Sequence, residues 1–184
     1  WPLIIFLHGS GERGTDIDLV KVHGPPKIAA ADPAFPFIVI SPQLPADQIW
    51  EPAKLDAMLD QAIKDVRIDT SRVYLTGLSL GGMGTWDWAA ARLDRFAAIA
   101  PIAARANLGT ACQLRDMPIW VFHGDSDPAV PAKGDIDMVQ AIEQCGGKPR
   151  LTIYPATGHD SWSESYANDA LYMWFLRHRK GGNE

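Results

Sequence analysis

A serine, an aspartate and a histidine fall in this 184-residue chain in an order and setting that suit acyl transfer. Gly77-Leu78-Ser79-Leu80-Gly81 is a Gly-x-Ser-x-Gly pattern led in by the apolar run Val73-Tyr74-Leu75-Thr76. A nucleophilic serine must be pushed out of a sharp strand-to-helix turn, where flanking side chains would clash, so glycines bracket it. A helix beginning at Leu80 aims its partial positive end at the place where an oxyanion would form. Serine is a weak nucleophile until a base takes its proton. Of the five histidines, His8 and His123 precede glycines at the ends of apolar runs and read as structural hydrogen bonders. His23 lies in a loop before Pro25-Pro26, and His178 in a basic tail expected to be exposed. His159 follows the last apolar run, in Gly158-His159-Asp160, and is the histidine whose place in the order serine, acid, histidine fits a base.

The acid should lie between Ser79 and His159 at a strand end. His123-Gly124-Asp125-Ser126-Asp127-Pro128 offers two carboxylates. Asp127 is the choice, because a loop must carry the carboxylate away from the strand toward the imidazole, and a following proline favours an extended, turn-initiating backbone. Asp125 is nearer the strand and reads as a turn cap. The Asp-x-Asp spacing resembles part of a calcium loop, but no glycine or bidentate glutamate follows at the spacing required, so no metal site is expected. Two backbone N–H groups must face the developing negative charge. Leu80 supplies one, and the loop His8-Gly9-Ser10-Gly11-Glu12-Arg13-Gly14 the other, assigned to Ser10 with Gly11 second. That loop lacks the following Lys-Ser/Thr and the Gly-x-Gly-x-x-Gly spacing of a phosphate cradle. Glu12 and Arg13 are expected to pair with each other or with nearby backbone. Trp50, Trp86, Trp88 and Trp162 are aromatic candidates for a substrate pocket, although a tryptophan is more often core. Trp162, close after His159, is favoured for substrate binding. Trp50 and Gln43, the latter just beyond a strand end, are the further substrate-binding candidates.

These residues need a scaffold that brings distant loops together. Apolar runs at Leu3–Leu7 and at residues 37–40, 73–75, 97–102, 119–122 and 151–154 tend to end in glycine or proline and alternate with helical patterns. Runs that are apolar on both faces and separated by helices mean a parallel sheet covered on both sides. Leu55, Met58, Leu59, Ala62, Ile63 and Val66 keep helical rhythm, residues 135–145 form a second helix stopped by Gly146-Gly147, and residues 165–178 a third, with Tyr166, Ala170, Leu171, Trp174 and Phe175 inward. Pro25-Pro26 limits the segment after the first strand to short helices. The expected fold is doubly wound α/β, with a mainly parallel sheet of about six strands, and its ligand site at the carboxyl ends of the strands, where every motif above falls.

Hydrophobic residues make up 47% of the chain and the formal net charge is −5. With no run of lysine and arginine, nucleic acid is not an expected partner. No apolar run approaches the roughly 18 residues of a membrane span. The chain opens at Trp1 without a methionine and enters a strand almost at once, so it reads as an excised or processed single domain over residues 1–184. Cys112 lies shortly before the run at 119–122, and Cys145 ends the helix that leads back to the run at 151–154. Consecutive parallel strands are usually neighbours, which sets both cysteines at the amino edges of adjacent strands, within reach of a disulfide. Such a bridge would favour a secreted or periplasmic protein.

LIIFLHGSGERG, GLSLGGMGTW, VFHGDSDPAVP and YPATGHDSW together resemble the esterase and predicted-peptidase branch of the α/β-hydrolases, including polyhydroxybutyrate-depolymerase and phospholipase/carboxylesterase relatives. The resemblance spans nearly the whole chain. It implies a catalytic triad of Ser79, Asp127 and His159 and no cofactor. It also implies that the first strands of the full fold are missing, Leu3–Leu7 being similar to the family's third strand. A lid in this family commonly follows the strand after the nucleophile helix. Only residues 103–117 are available there, too few for a lid, so an open site is expected. Ester hydrolysis is the first reading, a serine peptidase of the same fold the alternative, and an inactive binding module the third.

Overall fold

The computed structural model describes residues 1–181. Six strands, β1 (Leu3–Leu7), β2 (Ile38–Ile40), β3 (Val73–Leu78), β4 (Ala98–Ile102), β5 (Trp120–Gly124) and β6 (Arg150–Tyr154), form one sheet in the order β2-β1-β3-β4-β5-β6. All of its pairings are parallel. Six α-helices pack around it: α1 (Gly24–Ala31), α2 (Pro52–Asp65), α3 (Leu80–Ala91), α4 (Lys133–Gln144), α5 (Trp162–Ala167) and α6 (Asp169–Arg177). Alternate residues of each strand enter opposite cores, as a two-residue period requires. Leu3, Ile5, Leu75 and Val121 pack with Leu55, Leu59, Trp86 and Met138. Ile4, Phe6, Tyr74 and Phe122 pack with Tyr166, Trp174 and Phe175 on the other face. This is the doubly wound parallel sheet expected from runs apolar on both faces. No helix among the described residues is long and apolar enough to cross a membrane.

The sheet has one thin seam, and proline explains it. Ile99 N–H donates to Pro118 O and Ala103 N–H to Phe122 O, so odd-numbered residues of this stretch face β5. Pro101 falls between them and has no N–H to give. The β4–β5 ladder therefore skips a rung, while Pro101 stays in register with Gly77 on the β3 side.

Two local expectations differ from the structure, and the short helices expected around Pro25-Pro26 are present. Residues 165–178 are not one helix. Asn168 takes an extended backbone, ends α5 and caps α6 by accepting a hydrogen bond from Ala170 N–H at 3.0 Å. An asparagine offers the backbone this local alternative to continuing a helix. The break turns Ala170 outward and Tyr172 inward. His178 is buried, not exposed: its Nδ1–H donates to Trp174 O at 2.8 Å, and Tyr74 Oη–H donates to the His178 carbonyl at 3.0 Å. Pro25 and Pro26 open α1, where the missing N–H has no intrahelical use.

Close backbone approach sets the carboxyl ends of the strands. A Cβ on Gly81 would overlap the Leu7 carbonyl, one on Gly77 the Gly81 carbonyl, and one on Gly124 the carbonyls of Thr157 and Gly158. The start of α3 is thereby pressed onto the end of β1, and the loop after β5 onto the loop after β6. Gly81→Ala should cost roughly 3 kcal/mol or prevent folding, because the clash is with backbone. Gly11→Ala meets nothing within 4 Å and should change stability by roughly 0.5 kcal/mol or less. Paired urea titrations check the contrast.

Cys112 and Cys145 form a disulfide, with Cα atoms 5.2 Å apart. It joins the 3₁₀ segment Leu108–Leu114 to the end of α4, at the strand ends opposite Ser79. A bridge spanning 33 residues stabilises by about 3–4 kcal/mol in the chain-entropy account. Replacing both cysteines with serine should lower the melting temperature by roughly 10 °C and leave the folded secondary structure at 25 °C unchanged. Calorimetry and far-UV circular dichroism read the two arms.

Candidate active site

Ser79 stands between β3 and α3 at φ 52° and ψ −115°. A residue with a Cβ rarely adopts this conformation. Its N–H donates to Ile102 O at 2.9 Å, which extends the β3–β4 ladder one residue past the strand. The turn lifts the hydroxyl above the sheet, 2.9 Å from His159 Nε2. His159 Nδ1 lies 2.7 Å from Asp127 Oδ2. A carboxylate only accepts, so Nδ1 carries the proton and donates, and Nε2 is left to accept from Ser79 Oγ–H. Such a run can take a proton from a hydroxyl and hold the resulting positive charge.

Asp127 is fixed from several sides. Its Oδ1 accepts from the N–H groups of Ala129 and Val130, both at 2.9 Å. Burial acts to raise its pKa, but the hydrogen bonds from His159, Val130 and Ala129 outweigh it, and the carboxyl is held below its ordinary value. Asp125 is exposed, accepting only from Ser126 Oγ–H at 2.7 Å, and takes no part in the run. Backbone bonds tie the two loops together: Asp125 N–H donates to Tyr154 O and Ser126 N–H to Thr157 O.

Ser10 and Leu80 are each the first residue of a helical turn. The leading N–H groups of a helix have no acceptor within it, so both are available to a ligand. The loop that carries Ser10 lies beside the serine turn, since a Cβ on Gly9 would come within 2.7 Å of Leu78 Cδ1. Gln43 and Trp50 turn out to hold this loop. Gln43 Nε2 donates to the carbonyls of Glu12 at 2.9 Å and Asp16 at 2.6 Å. Trp50 is 5% exposed, packs against the His8 ring, and donates from Nε1 to His8 O at 3.2 Å. His8 donates from Nδ1 to Gly9 O at 2.6 Å and accepts at Nε2 from Leu44 N–H at 3.0 Å. Burial lowers its pKa, in keeping with the neutral ring this pattern needs. Arg13 pairs with backbone, donating to Ser10 O at 3.2 Å. Trp86 and Trp88 are core, their Nε1–H groups bonded to Asp135 and Asp56.

Trp162 is brought edge-on to His159, ring centroids 5.1 Å apart. Behind it stand two residues that spacing along the chain does not single out for the site. His23 lies 5.8 Å from Trp162 by ring centroid, and its Nε2 is 3.6 Å from Glu12 Oε1. Gly24, at φ 63° and with a Cβ position 2.7 Å from the Phe6 ring, fixes His23 there. A further pair lies behind Asp127. His123 Nδ1 is 2.7 Å from Asp135 Oδ2, and its Nε2 is 2.8 Å from Val130 O and 3.2 Å from Asp127 Oδ2. Among the described residues, no three His, Cys, Asp or Glu side chains are placed to hold a metal ion. Only the 3₁₀ segment Leu108–Leu114 occupies residues 103–117, and the His159 side chain keeps 26% of its exposure.

Comparison with known proteins bears on the fold and the family. The model of the phospholipase/carboxylesterase family matches residues 49–170, more than half of the chain. A bifunctional acetylxylan esterase/xylanase of Neocallimastix patriciarum is 39% identical over 70 residues, 38% of this chain and 10% of that protein. A probable feruloyl esterase C of Aspergillus niger is 27% identical over 116 residues, 61% of this chain and 42% of that protein. The chain thus spans less than half the length of these curated relatives. Among solved structures, a thermostable esterase superposes with a TM-score of 0.91 at 30% identity, covering 97% of this chain and 55% of that one. Fold, family match and esterase relatives converge, and the chain belongs to the phospholipase/carboxylesterase family of α/β-hydrolases.

Proposed function

We propose that the chain is a serine carboxylesterase that hydrolyses short-chain or otherwise accessible carboxylic esters through an acyl-enzyme. The observation that carries this reading is the unbroken hydrogen-bond run from Ser79 through His159 to Asp127. His159 takes the Ser79 proton as Oγ attacks the ester carbonyl, and Asp127 holds the imidazole tautomer and stabilises its charged form. The N–H groups of Leu80 and Ser10 donate to the oxyanion. His159 then protonates the leaving alcohol. Water, giving its proton to His159, attacks the acyl carbonyl, and the acid and free Ser79 are released. Trp162 forms a wall for the substrate beside His159. Gln43 and Trp50 contribute by holding the loop of Ser10. Relatives named as feruloyl and acetylxylan esterases make feruloyl and acetyl esters the first substrates to try.

Ser79→Ala and His159→Ala should each lower kcat/KM on such esters by roughly 10⁴-fold or more, since the pair acts as a unit. Asp127→Asn should cost less than either, and Asp125→Asn about two-fold at most. Steady-state kinetics on the four purified variants, with circular dichroism to establish folding, checks this. Substantial turnover by Ser79→Ala would overturn the mechanism, and a larger loss in Asp125→Asn than in Asp127→Asn would overturn the choice of acid.

A further inference from the structure

Asp127 shares its Oδ2 between two imidazoles. One is His159 at 2.7 Å and the other is His123 at 3.2 Å. The His123 side chain is fully buried, and the polar atoms around its two ring nitrogens are all acceptors. Nδ1 faces Asp135 Oδ2, and Nε2 faces Val130 O and Asp127 Oδ2. A carbonyl has no proton to offer, so Nε2 must carry one. The contact between Nδ1 and Asp135 needs a second proton, located on one side or the other. The partners of Asp135 decide where. Its Oδ1 accepts from Trp86 Nε1–H at 3.0 Å and its Oδ2 from Ala104 N–H at 3.2 Å, besides facing His123. Burial outweighs these donors and raises the pKa of Asp135. But a protonated carboxyl would have to turn its one proton to Nδ1 while two other N–H groups still point at its oxygens, an arrangement the ionised form satisfies better. The second proton therefore belongs on Nδ1.

We propose that His123 is an imidazolium held between the carboxylates of Asp127 and Asp135, a positioning residue that sets how readily His159 takes the proton of Ser79. The proposal rests on the reading of Ser79 and His159 given above. Two buried carboxylates facing one ring would repel each other, and a cation between them removes that conflict. The cluster then carries the net charge of a single carboxylate. Its positive end lies nearer to Asp127 than its negative end, so it weakens the pull of Asp127 on the His159 ring. Asp127 still orients the base through its hydrogen bond to Nδ1.

The groups facing His123 favour its charged form. Burial works to lower the pKa of His123, but the hydrogen bond and charge of Asp135, the Val130 carbonyl and Asp127 outweigh it and raise it. Asp127 faces the ring from the loop after β5 and Asp135 from α4, while α3 and residue 104 present the uncharged Trp86 Nε1–H and Ala104 N–H to Asp135. His159, from the loop after β6, reaches the group only through Asp127.

Two measurements test the proposal, and one is independent of catalysis. Nitrogen-15 NMR of the wild-type protein, with its histidines labelled, should show both His123 nitrogens protonated at pH 7. A bare Nδ1 at that pH would overturn the proposal whatever the kinetics show. The second is the pH profile of kcat/KM for Asp135→Asn, in which His123 loses the partner that keeps it charged. Its acid limb should move to higher pH by roughly half to one unit, the scale of one charge at this range in a partly polar interior. A uniform loss with an unshifted limb would mean a purely structural role and would also overturn it. Substantial turnover by Ser79→Ala would instead sink the underlying mechanism and leave the NMR result to decide the charge of His123 on its own.

Discussion

Ser79 is held at φ 52°, a conformation that costs a residue with a side chain about 1–3 kcal/mol. The rest of the site depends on the sheet being able to enforce it. The serine N–H is drawn onto Ile102 O, and the Gly77 and Gly81 positions admit the Leu7 and Gly81 carbonyls where no Cβ would fit. Neighbouring strand ends repeat the device in part, since Ala103 and Ala156 also have positive φ just past β4 and β6. Strain is concentrated on the rim where loops must turn sharply away from a parallel sheet. The large apolar cores on both faces of the sheet outweigh it.

Charge imposes a second constraint on the same rim. Asp127 is buried and must stay ionised to orient His159. Donors from Ala129 and Val130 N–H, together with His159, keep it so. Asp135 would be isolated in the core without His123, Trp86 and Ala104 around it. The run Ser79, His159, Asp127, His123, Asp135 is thus one hydrogen-bonded chain passing from the open rim into the core. Its polar groups satisfy each other, and that is what permits ionised side chains in a region otherwise packed with aromatic rings.

Much of this is legible in the order and types of the residues. Strands buried on both faces show as uninterrupted apolar runs, and the serine turn shows because its glycines have no substitute. The aspartate and histidine loops follow from chain order, and the disulfide from the adjacency of the last two strands. What escapes depends on partners far apart in the chain. His178 has the local sequence of a solvated tail, but Trp174 and Tyr74 enclose it. Trp50 and Gln43 have the types and positions of pocket residues. Each instead donates to a carbonyl of the loop after β1, a choice made by tertiary packing and invisible to spacing. His123 reads as structural, and its bonds agree, but nothing local ties it to Asp135 on the next helix. The split of residues 165–178 differs from these in having a local signal, an Asn-Asp pair suited to capping.

In the proposed reaction Ser79 carries the acyl group between the two half-reactions. The direct measurement mixes the protein with an activated acetyl ester, quenches in acid before the second half-reaction completes, and maps the added mass by peptide mass spectrometry. A single acetyl group is expected on the tryptic peptide 73–92, at Ser79. A transient adduct on any other residue, or hydrolysis with no adduct at any quench time, would contradict it.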